Sequence, residues 1–162
     1  MRAMLLNIAG FQVVWFALIL IGDLAIIAAI GWCVWHVLRV AEPLEPKYMV
    51  LWGVIGLAID QILSFVGVLR FPEMSLPVLP LWFVGLWIVF PTVLNHSLRW
   101  VWNGHPIWTV LGAMGAAVTY LGGARLAPVE LPLGDLTTFA ILTVTWLFFF
   151  NLVRRSVPRA TT

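Results

Sequence analysis

Apolar runs close to the length that crosses a bilayer recur from one end of this chain to the other. A transmembrane helix needs about 20 predominantly apolar residues, with a range of roughly 17–25. Six stretches fall near it: Met4 to Ile21, Leu24 to Val40, Tyr48 to Phe71, Leu81 to Val101, Ile107 to Leu126 and Leu136 to Val153. A soluble domain carries about a quarter charged residues. This chain carries 10%, against 62% hydrophobic residues. A water-soluble core is therefore excluded. The expected fold is an all-α bundle of six transmembrane helices, forming a single integral membrane domain over residues 1–162.

The breaks between runs carry the next layer of information. Met4 to Val40 would be about 55 Å long as one helix at ~1.5 Å per residue, too long for a single crossing. Gly22-Asp23 is therefore read as a tight hairpin, with Asp23 as N-cap of the second helix. Met1-Arg2 before an apolar run resembles a signal peptide, but no small-residue cleavage site follows, and an uncleaved first span is expected. Prolines and acids mark Ala41 to Lys47 as a loop. Pro72, Pro77 and Pro80 mark a second connection, Asn103 to Pro106 a turn, and Pro128 to Asp135 a third loop. Pro91 lies inside the fourth run, where packed neighbours in a bundle tolerate a kink.

Orientation follows from the basic residues. With both termini inside, the inner side holds Arg2, Arg39, Lys47, Arg99, Arg154, Arg155 and Arg159, and the outer side only Arg70 and Arg125. That is a clear positive-inside bias, so cytoplasmic termini and a bacterial inner-membrane location are expected. Trp32, Trp35, Trp52, Trp100, Trp102 and Trp108 fall near the inner ends, as an aromatic belt would. The net charge of +2 is thereby assigned to topology. No basic patch interleaved with stacking aromatics points to nucleic acid. Cys33 is the single cysteine, which rules out an intrachain disulfide and reads as a buried small hydrophobe.

Three polar centres remain. Asp60 falls near the middle of the third run, where an ionisable residue costs about 2.5–3.5 kcal/mol on insertion scales and marks a functional candidate. Gly53, Gly56, Asp60, Ser64 and Gly67 share one helix face, a small and polar stripe suited to close packing. On the fourth run, Thr92, Asn95, His96 and Arg99 lie at i, i+3, i+4 and i+7 below Pro91. An imidazole titrates near neutrality, so His96 suits a general base or proton relay, with Asp60 and Asn95 as its catalytic companions. Arg125 and Tyr120 near the outer end of the fifth run, or Arg99, would hold an anionic group. Gly112, Gly115, Thr119, Gly122 and Gly123 form a second close-packing face. His36, His96 and His105 lie on different segments without ligand spacing, so no metal and no cofactor are expected.

The run Pro80-Leu81-Trp82, Leu86-Trp87, Phe90, Thr92, Leu94-Asn95-His96-Ser97-Leu98 and Trp100 resembles the signature of a bacterial inner-membrane family, domain of unknown function 2878 (DUF2878). Tyr120-Leu121-Gly122-Gly123-Ala124-Arg125-Leu126 is similar to that family's later segment, with Ala127 in place of its last glycine. The resemblance implies a shared size and span count, and a neighbourhood of fatty-acid-modifying genes that favours a lipid-linked role. Three functions follow. The first is an enzyme or enzyme partner handling a lipid or fatty-acyl substrate in the polar cluster. The second is a non-catalytic membrane subunit or scaffold, with the small-residue faces as surfaces for a second copy or a lipid-modifying partner. The third is a small proton-coupled transporter. Membrane lipids are the expected partners in each.

Overall fold

Gly10 and Trp32 decide how the first apolar region folds. In one continuous helix they would stand about 33 Å apart, yet a Cβ on Gly10 would fall inside the Trp32 ring. The region is therefore a hairpin. In the computed structural model, which describes residues 2–156, α1 (Arg2–Ile21) runs into a one-turn 3-10 segment, Gly22–Ala25, and α2 (Ile26–Arg39) returns. Gly22 makes the reversal at φ 73°, in the left-handed region that glycine enters without steric cost. Arg159, one of the expected inner-side cations, lies outside the described residues, as does Met1.

The expected N-cap at Asp23 does not form. Ala25 precedes α2, and no side chain caps it. Asp23 Oδ1 instead accepts the backbone N–H of Trp82 at 2.9 Å, in the first turn of α4 (Leu81–Val89). That turn follows Pro80 and has unpaired N–H groups to satisfy. Asp23→Ala should cost about 1 kcal/mol, in the range of a lost cap. A lower thermal midpoint in detergent would register it, and Asp23→Asn, which keeps an acceptor, should recover most of the loss.

Helix α3 (Glu45–Phe65) starts earlier than the expected Tyr48 and ends well before Phe71. Gly67, at φ 78°, turns the chain just past its end. Gln61 and Ser64 then hold the following loop: Gln61 Nε2 donates to Pro77 O at 2.6 Å, Ser64 Oγ to the same carbonyl at 3.2 Å, and the Leu79 N–H to Gln61 Oε1 at 3.3 Å.

The expected helix 81–101 is broken. It consists of α4, a single turn α5 (Pro91–Leu94), irregular turns, and α6 (Arg99–Asn103). Pro91 lacks an N–H and crowds the carbonyl one turn back; one helical turn follows it, and residues 95–98 are non-helical turns before α6 begins at Arg99. The face predicted for Thr92, Asn95, His96 and Arg99 assumed an unbroken helix and does not exist. Side chains from elsewhere take up the freed carbonyls. Asn7 Nδ2 donates to Thr92 O at 3.0 Å, and Trp102 Nε1 to Leu94 O at 2.9 Å. Buried backbone acceptors require such partners.

Helices α7 (Pro106–Gly123) and α8 (Asp135–Ser156) form the most extensive pair in the bundle. Ala113 and Ala117 on α7 and Leu142 on α8 are fully buried. Among the described residues the one β-type contact is an antiparallel bridge, Arg70 with Glu130, joining the loops that precede α4 and α8.

Polarity is inverted relative to a soluble domain. Asn7, His36, Glu45, Asp60, Thr92 and Ser97 are buried, while Val13, Ile27, Val50 and Leu136 stand 69%, 76%, 68% and 82% exposed. Three helical segments are long and apolar enough to cross a membrane: Met4–Arg39, which contains the hairpin, Glu45–Phe65 and Asp135–Ser156. Leu81–Leu94 is a shorter apolar segment. Two of the tryptophans expected in an interfacial belt, Trp52 and Trp102, are buried in the core instead.

Candidate functional site

Helix α3 carries a polar group near each end, and the two groups are separate. Asp60 follows Glu45 by fifteen positions, roughly 22 Å of helix at 1.5 Å per residue. Asp60 and His96, paired as catalytic companions on sequence grounds, belong to different groups: His96 meets Glu45, and Asp60 does not meet His96.

At the far end of α3, Asp60 Oδ2 accepts two hydrogen bonds, from Trp87 Nε1 and from the Tyr120 hydroxyl, each at 2.6 Å. The stripe on α3 explains the approach. Gly53 sits 3.0 Å, measured from a notional Cβ, from the Trp87 carbonyl, and a Cβ on Gly56 would fall inside the Trp87 indole. The small face lets α4 come close enough for the indole to lie across α3 and reach Asp60. Trp87 in turn stacks on Trp146 of α8, with centroids 5.6 Å apart and planes 13° from parallel.

Trp87, Trp146 and Tyr120 form part of the wall of an apolar cavity of about 590 Å³ between α1 and α7. Ligand pockets fall between roughly 300 and 1,000 Å³ and are mostly apolar with a few polar groups. Here the apolar wall is largely aromatic, with Phe11, Trp15 and Phe83 beside the three rings above. Its few polar side chains include Gln12, Ser97 and Thr119. Gly115 and Gly122 on α7 border it, with nothing near a notional Cβ on either. The α7 glycines predicted to pack a helix closely therefore do so only in part. Gly112 meets Val101, but Gly115 and Gly122 hold a space open. Asp60 is not on the cavity wall. It lies behind Trp87 and Tyr120 and accepts a hydrogen bond from each.

The second group gathers where α2 ends and α3 begins. His96 Nε2 lies 2.9 Å and His36 Nε2 3.3 Å from the same Glu45 oxygen, Oε1. The adjacent Ser97 donates to Asn7 Oδ1 at 2.8 Å. Sequence reading missed His36, Glu45 and Asn7 as members of a site. Each sits on a segment remote from Asn95-His96-Ser97, and their one signal was polarity at the margins of apolar runs. Asn95 and Arg99 are half-buried and enter neither group. Arg125 stands exposed between two cavity-lining residues and is paired with Asp135, so it does not reach Asp60.

Apolar helices facing outward around buried polar side chains define an all-α membrane protein. A family model described as "Protein of unknown function (DUF2878)" matches residues 4–152, and the chain belongs to that family. No curated protein and no solved structure matches it.

Proposed function

We propose that this is a six-span protein of the bacterial inner membrane, with both termini cytoplasmic, that binds a long-chain lipid-like molecule in the cavity between α1 and α7. The cavity carries this reading. It is deep and aromatic, reaching the otherwise buried Trp87 and Trp146. Part of its lining is also surface that faces outward, as at Phe16 and Leu111. An acyl chain entering from the bilayer would leave one apolar environment for another and gain packing against rings.

The six-span arrangement draws support from which ends of helices meet. Asp23 with Trp82, Arg70 with Glu130, and Arg125 with Asp135 join connections assigned to the outer side. His36 with Glu45 and His96, and Asn7 with Ser97, join segments assigned to the inner side. The helices then alternate in direction, with α4 to α6 counted as one interrupted crossing. The seven-to-two bias of basic residues supports a cytoplasmic position for the second end.

Binding is favoured over catalysis because the cavity's hydroxyls are engaged. Tyr120 donates to Asp60, Ser97 to Asn7 and Thr119 to the Gly115 carbonyl. Of these three acceptors only Asp60 is a potential base, and it stands behind the Trp87 and Tyr120 rings, off the cavity wall. A photoactivatable fatty-acyl probe incorporated into membranes tests the reading. Crosslinks should concentrate on cavity residues such as Phe11, Trp15 and Phe83. An even spread over outward residues such as Val13, Ile27 and Val54 would show that the probe reports only the lipid-facing surface, and would remove the proposal.

A further inference from the structure

The group around Glu45 takes no part in the cavity, and its composition asks for an explanation of its own. The Glu45 side chain is 2% exposed. A buried carboxylate is costly unless it is paired and hydrogen-bonded. Among the described residues, no lysine or arginine pairs with it. Its side-chain partners are two imidazoles, His36 at 3.3 Å and His96 at 2.9 Å, both facing Oε1 through Nε2. The other oxygen, Oε2, accepts the backbone N–H of Glu42 at 3.1 Å, which fixes the plane of the carboxylate. The two imidazoles stand edge to face, with centroids 4.9 Å apart. One potential ligand atom from each of three separate segments thus lies within 4.8 Å of the others.

We propose that His36, Glu45 and His96 bind one divalent first-row transition metal ion, zinc or iron(II), through the two Nε2 atoms and the Glu45 carboxylate. Two imidazoles and a carboxylate form the donor set of open zinc and non-haem iron sites. Ligands about 2.0–2.2 Å from a tetrahedral ion stand roughly 3.4 Å from one another. The two observed separations from Oε1 lie close to that spacing, so small side-chain rotations would admit the ion. Three protein ligands leave at least one coordination position open. The Glu42 N–H already orients Glu45, as outer hydrogen-bond partners orient ligands in metal sites. His36 Nδ1 is buried without a protein partner. No protein group on that side fixes the proton, and Nε2 is free to present its lone pair. The ion would join the end of α2, the start of α3 and the turn after α5. The sequence-based expectation of no metal rested on the remoteness of these segments along the chain, which the fold removes. The inference stands apart from the lipid proposal and shares no residue with it.

Tag-free protein in mild detergent, stripped with chelator and titrated with Co²⁺, provides the test without any activity. The expected result is a single Co²⁺ per chain, with visible ligand-field absorption that Zn²⁺ displaces. His96→Gln and Glu45→Gln should each weaken binding by at least about tenfold, the lower end of what outer-shell changes alone cause. His96 is the better first choice, being 24% exposed and less needed for packing than the fully buried His36. His105→Asn removes an exposed histidine from a different turn while keeping a side-chain cap for α7, and should leave binding unchanged. Wild-type protein that takes up no stoichiometric Co²⁺ overturns the proposal whatever the variants do. So does full binding by both His96→Gln and Glu45→Gln.

Discussion

Replacing Asp60 with alanine should lower stability by about 2–5 kcal/mol, more than the loss expected at Asp23 or Gly112. The substitution leaves the Trp87 N–H and the Tyr120 hydroxyl without an acceptor in a buried site, and each such orphan costs about 1–3 kcal/mol. Both donors now converge on one oxygen at 2.6 Å. Asp60→Asn keeps an acceptor but brings a buried amide N–H₂ in need of partners, so an intermediate loss is expected. Thermal unfolding of all three proteins in one detergent orders them as wild type, Asn, Ala. An Asp60→Ala protein as stable as wild type would mean that the two rings do not depend on the carboxylate.

Position matters here as much as energy. A proton relay or catalytic base must reach substrate or water, and Asp60 stands behind the two rings. Its substitution should disturb the cavity only by loosening Trp87 and Tyr120. Tyr120→Phe separates the two roles, because it removes one bond and keeps the ring on the wall.

The second large effect is expected at Gly115, and it should fall on binding while leaving the fold intact. A Cβ at Gly115 meets nothing within 4 Å, and the residue borders the cavity. Glycine inside a helix is disfavoured by about 0.8–1.0 kcal/mol relative to alanine. Gly115→Phe should therefore fold at least as well as wild type while its ring occupies space reserved for ligand. Gly112 offers the contrast. A Cβ there collides with Val101, and overpacking of that kind costs typically 1–3 kcal/mol. A structural role for the α7 glycines predicts the same outcome at both positions. A cavity predicts opposite ones.

What could be read from the sequence follows the range of each physical cause. Bilayer length and helix period are local properties, so α1, α2, α8 and most of α3 were legible. So was the stripe from Gly53 to Ser64, because it lies on one unbroken helix. The helix expected through His96 is interrupted at residues 95–98, beyond the turn that Pro91 opens, and the proline does not mark that position. Glycine spacing on α7 correctly marked a face without bulk. It cannot distinguish a partner helix from an empty space, and the structure shows some of each. The Glu45 group was invisible because its three members meet only in the folded chain. Asn7 likewise gives no local signal, yet it bridges Thr92 and Ser97 across the broken helix.

Native mass spectrometry of the protein released from mild detergent distinguishes an occupied cavity from an empty one. A single adduct of lipid or fatty-acyl mass is expected on the wild-type chain, absent from Gly115→Phe at equal thermal stability. A wild-type protein that carries no such adduct, or a Gly115→Phe protein that carries the same one, would contradict lipid binding in the cavity.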